Sequence, residues 1–132
     1  MSQTDPIADF LTRVRNAGRA RHKRLTVPAT RMRKEIARVL AENRYIRNVT
    51  EIAGRPQAKL QIQLRYTPTQ DCVITGIRRL SKPGLRRYLG REDLRRGLRE
   101  MGMVIVSTPR GLMSDKDAVA AGIGGEAIFR VW

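Results

Sequence analysis

The sequence predicts an α+β protein in two parts. The first half reads as a small α/β domain, two helices on a three-stranded sheet. It is expected to pack on a mostly β second half with short helices. Three observations carry this. Ile7, Phe10, Leu11 and Val14 recur at i, i+3, i+4 and i+7, one apolar helix face. Leu60, Ile62, Leu64 and Tyr66 alternate with Lys59, Gln61, Gln63 and Arg65, the period of a half-buried strand. After Asp71 the apolar runs shorten and are separated by proline and glycine turns.

In order, Asp5-Pro6 reads as a helix start, with aspartate at the cap and proline in the first helical position. Asn16-Ala17-Gly18 closes that helix, with Gly18 suited to the left-handed closing conformation. Leu25-Thr26-Val27-Pro28 is an extended piece. Thr30 caps a second helix that carries Met32, Ile36, Val39 and Leu40 on one face and ends at Asn43-Arg44. Tyr45-Ile46 and Val49–Ile52 read as one strand, and Lys59–Tyr66 as the next. Thr67–Asp71 is polar and holds Pro68, so we place the boundary there: residues 1–66, a linker at 67–71, and 72–132.

Cys72–Ile77 reads as a buried strand, with Cys72 as apolar filler. Ser81-Lys82-Pro83-Gly84 is a turn, and Leu85–Tyr88 a short strand. Arg91–Met101 has Leu94, Leu98 and Met101 on one face, interrupted by Gly97, and reads as a weak helix. Met103–Val106 is an apolar strand, and Pro109-Arg110-Gly111 turns the chain. Ser114 and Asp117 have capping spacing for a helix over Lys116–Ala121. Gly124-Gly125-Glu126 leads into the last strand, Ala127–Trp132.

Charge narrows the partners. The chain has 27 Lys plus Arg against 12 Asp plus Glu, a net of +15, and such a field captures polyanions. Arginine supplies 22 of those cations, and its planar fork suits phosphate and base stacking. Two blocks dominate, Arg13–Lys34 and Arg78–Arg99, each with nine cations. A membrane surface would ask for large apolar anchors on the basic helices, which are few here, so no membrane partner is expected. One histidine and one cysteine leave no metal cluster, no internal disulfide and no cofactor site. His22 has no serine or cysteine set up beside it as a nucleophile, and an enzyme is not expected. The N-terminus lacks a secretory apolar run, which points to the cytosol.

The segment Val104–Gly111 stands apart. It is an apolar strand that ends in two hydroxyls, a proline, a cation and a glycine. The tail Leu112–Trp132 carries Lys116 and Arg130 against Asp115, Asp117 and Glu126, a net of −1. Affinity therefore resides in the basic blocks, and Ser107 and Thr108 are candidates for reading donors and acceptors such as ribose 2′-OH groups. Glu126 is either such a reader or a structural acceptor. Tyr88, beside Arg86 and Arg87, is either a base-stacking platform or a core tyrosine.

Four motifs in register resemble one family: Asp5–Asp9 with Leu11–Asn16, Ser81–Arg86, Ser107–Asp115, and Gly122–Glu126. They resemble the bacterial small-subunit ribosomal proteins numbered eight. The resemblance implies a two-domain structural constituent of the ribosome and a primary binder of small-subunit ribosomal RNA. Such a protein grips a stem with an irregular core in the central domain and helps the subunit assemble. Neighbouring ribosomal proteins are implied as partners, as is the protein's own messenger RNA, which some members repress. Carried over by position, the RNA contacts fall on Ser107, Thr108, Pro109 and Arg110, on Arg86 and Tyr88, and on Gly124, Gly125 and Glu126. A second contact face falls on Thr4, Thr12 and Asn16. Pro109 stands where the family usually has a second serine, so one contact is expected to differ. The alternative is a free-standing nucleic-acid-binding regulator. A helix-turn-helix reader is disfavoured by Leu25–Pro28 between the two helices.

Overall fold

A computed structural model describes residues 5–132, and Thr4 lies outside it. The chain divides into two compact units: Pro6–Thr75, and Gly76–Trp132 together with Asp5.

In the first unit, helix α1 (Pro6–Arg19) precedes strand β1 (Arg24–Pro28), helix α2 (Arg31–Glu42), and strands β2 (Ile46–Ile52) and β3 (Lys59–Leu64). The sheet is antiparallel in the order β1-β3-β2. The period-2 pattern of β3 buries Leu60, Ile62 and Leu64, while Phe10, Leu11 and Val14 of α1 and Ile36, Val39 and Leu40 of α2 are also buried. Each fully buried Leu, Ile or Phe contributes about 1.5–3 kcal/mol relative to exposure, enough for a core of this size to hold a small sheet. The Thr30 hydroxyl caps α2 by accepting from the Arg33 N–H at 3.2 Å. Alternation also leaves a polar face. Register places Arg24, Gln63 and Asn48 in one row across the sheet and Thr26, Gln61 and Thr50 in the next.

Gly18 does not close α1 by a left-handed turn. The helix runs on to Arg19, and the positive φ falls on Arg21. Gly18 is needed for a different reason: a Cβ there would lie 2.9 Å from Cys72 Sγ. Residues 67–71, expected as a linker, form a hydroxyl-stitched turn. Asp71 N–H donates to Thr67 Oγ1 at 3.2 Å, and Tyr66 bridges to Cys72 across it. Burial pushes the half-buried Cys72 thiol above its ordinary pKa, which keeps it protonated.

In the second unit, β4 (Ile77–Arg79), β5 (Tyr88–Leu89), α3 (Arg91–Gly97), β6 (Met103–Thr108), β7 (Gly111–Ser114), α4 (Asp115–Ala121) and β8 (Gly125–Val131) follow in order. The sheet runs β4-β8-β6-β7, and β5 also pairs with β8. Leu94 of α3 and Ala118 of α4 pack on Val104, Val106 and Ala127. Ser114 caps α4, its hydroxyl accepting from the Asp117 N–H at 3.1 Å. Gly122 closes that helix at φ +73.

Four expectations are corrected here. Cys72–Ile77 is not one strand; only Ile77–Arg79 is. Its backbone groups are divided between two partners, Val73 N–H to Arg65 O and Gly76 with Trp132, so no single ladder forms. The short strand expected over Leu85–Tyr88 is instead Tyr88–Leu89, because Lys82 and Leu85 pair across their own turn. Helix α3 stops at Gly97, as the low helix propensity of glycine favours, and Leu98 and Met101 are left exposed. Residues after Gly111 turn straight back as β7, a strand the expected elements omit.

Candidate RNA-contacting surface

Within the second unit, β8 runs between β5 and β6, and the register sets three functional candidates in one row. Tyr88 pairs with Glu126, and Glu126 pairs with Ser107. Directly opposed residues of antiparallel strands project from the same face, so phenol, carboxylate and hydroxyl share one side of the sheet.

The centre of the row is tightly held. The Glu126 carboxylate accepts from the Ser81 hydroxyl and from Arg86 Nη1 at 3.1 Å. The Ser81 oxygen in turn accepts from the Arg87 N–H at 3.2 Å, and the Arg87 carbonyl accepts from the Ala127 N–H at 2.9 Å. Ser81 is wholly buried, whereas the Glu126 side chain keeps 16% of its surface and that of Arg86 keeps 50%. Within the protein the carboxylate is an acceptor that fixes Arg86 and the segment leading to Tyr88. Tyr88 itself is 71% exposed, which fits a stacking platform and not a core residue.

At the other end, Ser107 and Thr108 part company. Thr108 is 9% exposed, and its hydroxyl donates to Gly111 O at 2.8 Å and accepts from the Arg110 N–H at 3.1 Å. That hydroxyl is used inside the turn. The Ser107 hydroxyl, half-buried, has no intramolecular partner among the described residues. Pro109 and Arg110 form the exposed tip, and Gly111 completes it at φ +101. Proline suits the first tip position because its φ is already fixed and the turn takes nothing from that residue's N–H.

The two glycines have a packing role. A Cβ on Gly125 would lie 2.1 Å from Ser107 O, and one on Gly124 2.4 Å from Leu89 O. Both let β8 approach its neighbours closely enough for the row to form.

In the first unit, Thr12 and Asn16 are one helical turn apart on the exposed face of α1. The structure thus brings together Arg86, Tyr88, Ser107, Thr108, Pro109, Arg110, Gly124, Gly125 and Glu126 in one unit, and Thr12 with Asn16 in the other. Sequence reasoning missed Ser81, whose turn position gave no sign of the buried hydroxyl under Glu126. One cation of the second basic block is used inside the protein. Arg79 pairs with Asp5 at 3.1 Å and donates to Ile128 O, so it belongs to the fold. Among the described residues there is no group of three His, Cys, Asp or Glu that could hold a metal.

Comparison with known proteins decides the family. The model of the family Ribosomal protein S8 matches residues 5–132. The chain belongs to the ribosomal protein S8 family. It is 47% identical to the small ribosomal subunit protein uS8 of Ruminiclostridium cellulolyticum, over the full length of both chains. The uS8 proteins of Caldanaerobacter subterraneus subsp. tengcongensis and Streptococcus pneumoniae are 46% and 47% identical, again over the full length of both. Membership makes the chain a structural constituent of the small ribosomal subunit in the bacterial cytoplasm, and not an enzyme.

Proposed function

We propose that this chain binds small-subunit ribosomal RNA directly, with the Tyr88–Glu126–Ser107 row as its selective surface. The observation that carries the reading is the division of labour along that row. Glu126 is satisfied within the protein and holds Arg86, leaving an exposed ring at one end and an unpartnered hydroxyl at the other. An exposed ring with adjacent guanidinium groups stacks on an unpaired base. A short hydroxyl donates to or accepts from a 2′-OH or base edge. Arg110 at the tip of the hairpin and Arg86 supply phosphate contacts, while Thr108, Pro109, Gly124 and Gly125 hold the geometry. Thr12 and Asn16 offer a second polar contact. The RNA that suits such a surface has a base turned out of its stack, as in an irregular stem of the central domain. Binding there would help that domain assemble beside neighbouring ribosomal proteins. A messenger segment folded to the same shape would occupy the same row, and the protein's own message is the candidate for repression.

The test is a filter-binding titration of a central-domain rRNA fragment at fixed salt. Ser107→Ala should weaken binding by about 0.5–1.5 kcal/mol, the net worth of one hydrogen bond, with the melting temperature unchanged. Tyr88→Ala should cost about 1–3 kcal/mol if the ring carries a base. Native affinity in both variants would refute the selective row.

A further inference from the structure

The first unit carries a second feature that neither the family motifs nor the row accounts for. A concavity of about 650 Å³ opens between the end of α2, strand β3 and the 67–71 turn. Lys23, Arg44, Arg47 and Arg65 line it, and no carboxylate does. Four other cations of this unit are paired with carboxylates: Arg13 and Arg33 with Asp9, Lys34 with Glu51, and Arg38 with Glu42. None of the four cleft cations has a carboxylate within salt-bridge distance among the described residues. Like charges gathered in a concave wall raise the local potential and repel one another until an anion arrives.

The backbone adds an independent sign. Three non-glycine residues in the described chain have positive φ, and two of them, Arg44 at +64 and Gln70 at +69, line this cavity. Arg44 sits just past the Asn43 cap of α2, a position where glycine or asparagine is the unstrained choice. An arginine held there is strained, and strained backbone gathers at functional sites. Gln63 then joins the cleft to the polar sheet face, where Arg24, Asn48, Thr50 and Gln61 surround a smaller depression. The cations therefore continue into amides and hydroxyls, an arrangement that suits a phosphodiester chain with its riboses better than an isolated ion.

We propose that this cleft is a second RNA site, which grips the phosphate backbone of a further ribosomal RNA segment and extends over the outer face of β1-β3-β2. The proposal rests on the reading of the chain as a direct rRNA binder, but it uses none of the same residues.

The experiment measures the salt dependence of binding to full-length small-subunit rRNA. The triple variant Lys23→Ala, Arg47→Ala, Arg65→Ala should keep its melting temperature and lower the log–log salt slope by about one per cation removed. Arg44→Gly is the sharper probe. It should keep or raise the melting temperature by relieving the left-handed arginine, yet lower the slope by about one. Native slopes in both folded variants overturn the cleft. So does a wild-type melting temperature raised by inorganic phosphate and not in the triple variant, combined with an unchanged RNA slope, because the occupant is then a small anion. So does a native RNA slope when the triple variant loses affinity only for an acidic peptide. Ser107→Ala and Tyr88→Ala in parallel separate the two readings: a lost slope in the cleft variants with native affinity in both of these refutes the row and supports the cleft.

Discussion

The selective row and the cationic cleft handle charge in opposite ways. In the row, the one carboxylate is matched by Arg86 and the Ser81 hydroxyl. Its recognition groups are then neutral or locally compensated, and they depend on position. In the cleft, four cations line one concavity without an acid, and a grip on phosphate depends little on exact geometry. Neutral hydrogen bonding and stacking discriminate between RNA shapes and respond weakly to salt. Phosphate gripping supplies affinity to any polyanion and falls steeply with salt. A large net charge alone therefore says little about where selectivity lies.

The largest effect that separates the two regions is expected from Gly125→Ala. Its Cβ would meet the Ser107 carbonyl oxygen at 2.1 Å, and backbone cannot step aside as a flexible side chain does. The β6–β8 ladder must shift, at a cost of about 3 kcal/mol, the upper end for overpacking. Urea unfolding should show the lower midpoint. RNA affinity should fall with the row while the salt slope stays close to native, because the cleft cations are untouched. A slope that falls with affinity would break the contrast between the regions.

Ser81→Ala comes next. It removes the buried hydroxyl that joins the Arg87 N–H to Glu126, leaving that N–H without its acceptor and Glu126 with Arg86 alone. The expected loss is about 1–3 kcal/mol of stability. Weaker binding should accompany it, since the segment carrying Arg86 and Tyr88 loses its anchor. Ser81→Thr, which keeps the oxygen, should recover part of the binding if the hydroxyl is what matters. Equal stability of Ser81→Ala and the parent would show that the segment is held by its backbone pairs alone.

Local signals in the sequence were strong wherever one side chain could declare its own role. The alternation of Leu60, Ile62 and Leu64, the Thr30 and Ser114 caps, and the apolar stripe of α1 are all one-dimensional patterns, and each appears as expected. What stayed hidden depends on partners far along the chain. Cys72–Ile77 has the composition of a strand but no single neighbour to pair with. Gly18 looked like a helix terminator, yet its small size is required by Cys72, more than fifty residues later. The hydroxyls of Ser107 and Thr108 are adjacent and chemically alike, and only the hairpin geometry assigns one to the turn and leaves the other open. The cleft was invisible for the same reason. Lys23, Arg44, Arg47 and Arg65 are scattered among 27 cations and share one concave wall only when the segment before β1, the end of α2, the start of β2 and the end of β3 are brought together.

The smallest effect concerns a buried acid in the unit that holds the row. Asp115 is buried at the start of α4, where its carboxylate accepts from the Lys116 N–H at 2.9 Å. Burial pushes its pKa above the ordinary value, opposed by backbone N–H groups of Lys116 and Val104 and by the charge of Arg130. The folded state thus binds this proton more tightly than the unfolded chain does. By linkage, the contribution of Asp115 to stability is most favourable below its unfolded pKa and declines as pH rises through the raised folded value. Asp115→Asn keeps an acceptor for the Lys116 N–H and removes the titration. Urea midpoints measured from pH 3 upward should therefore decline less steeply, or rise more steeply, in Asp115→Asn than in the parent across the mildly acidic range. A parent and variant with parallel profiles would mean that the N–H groups and Arg130 fully offset burial.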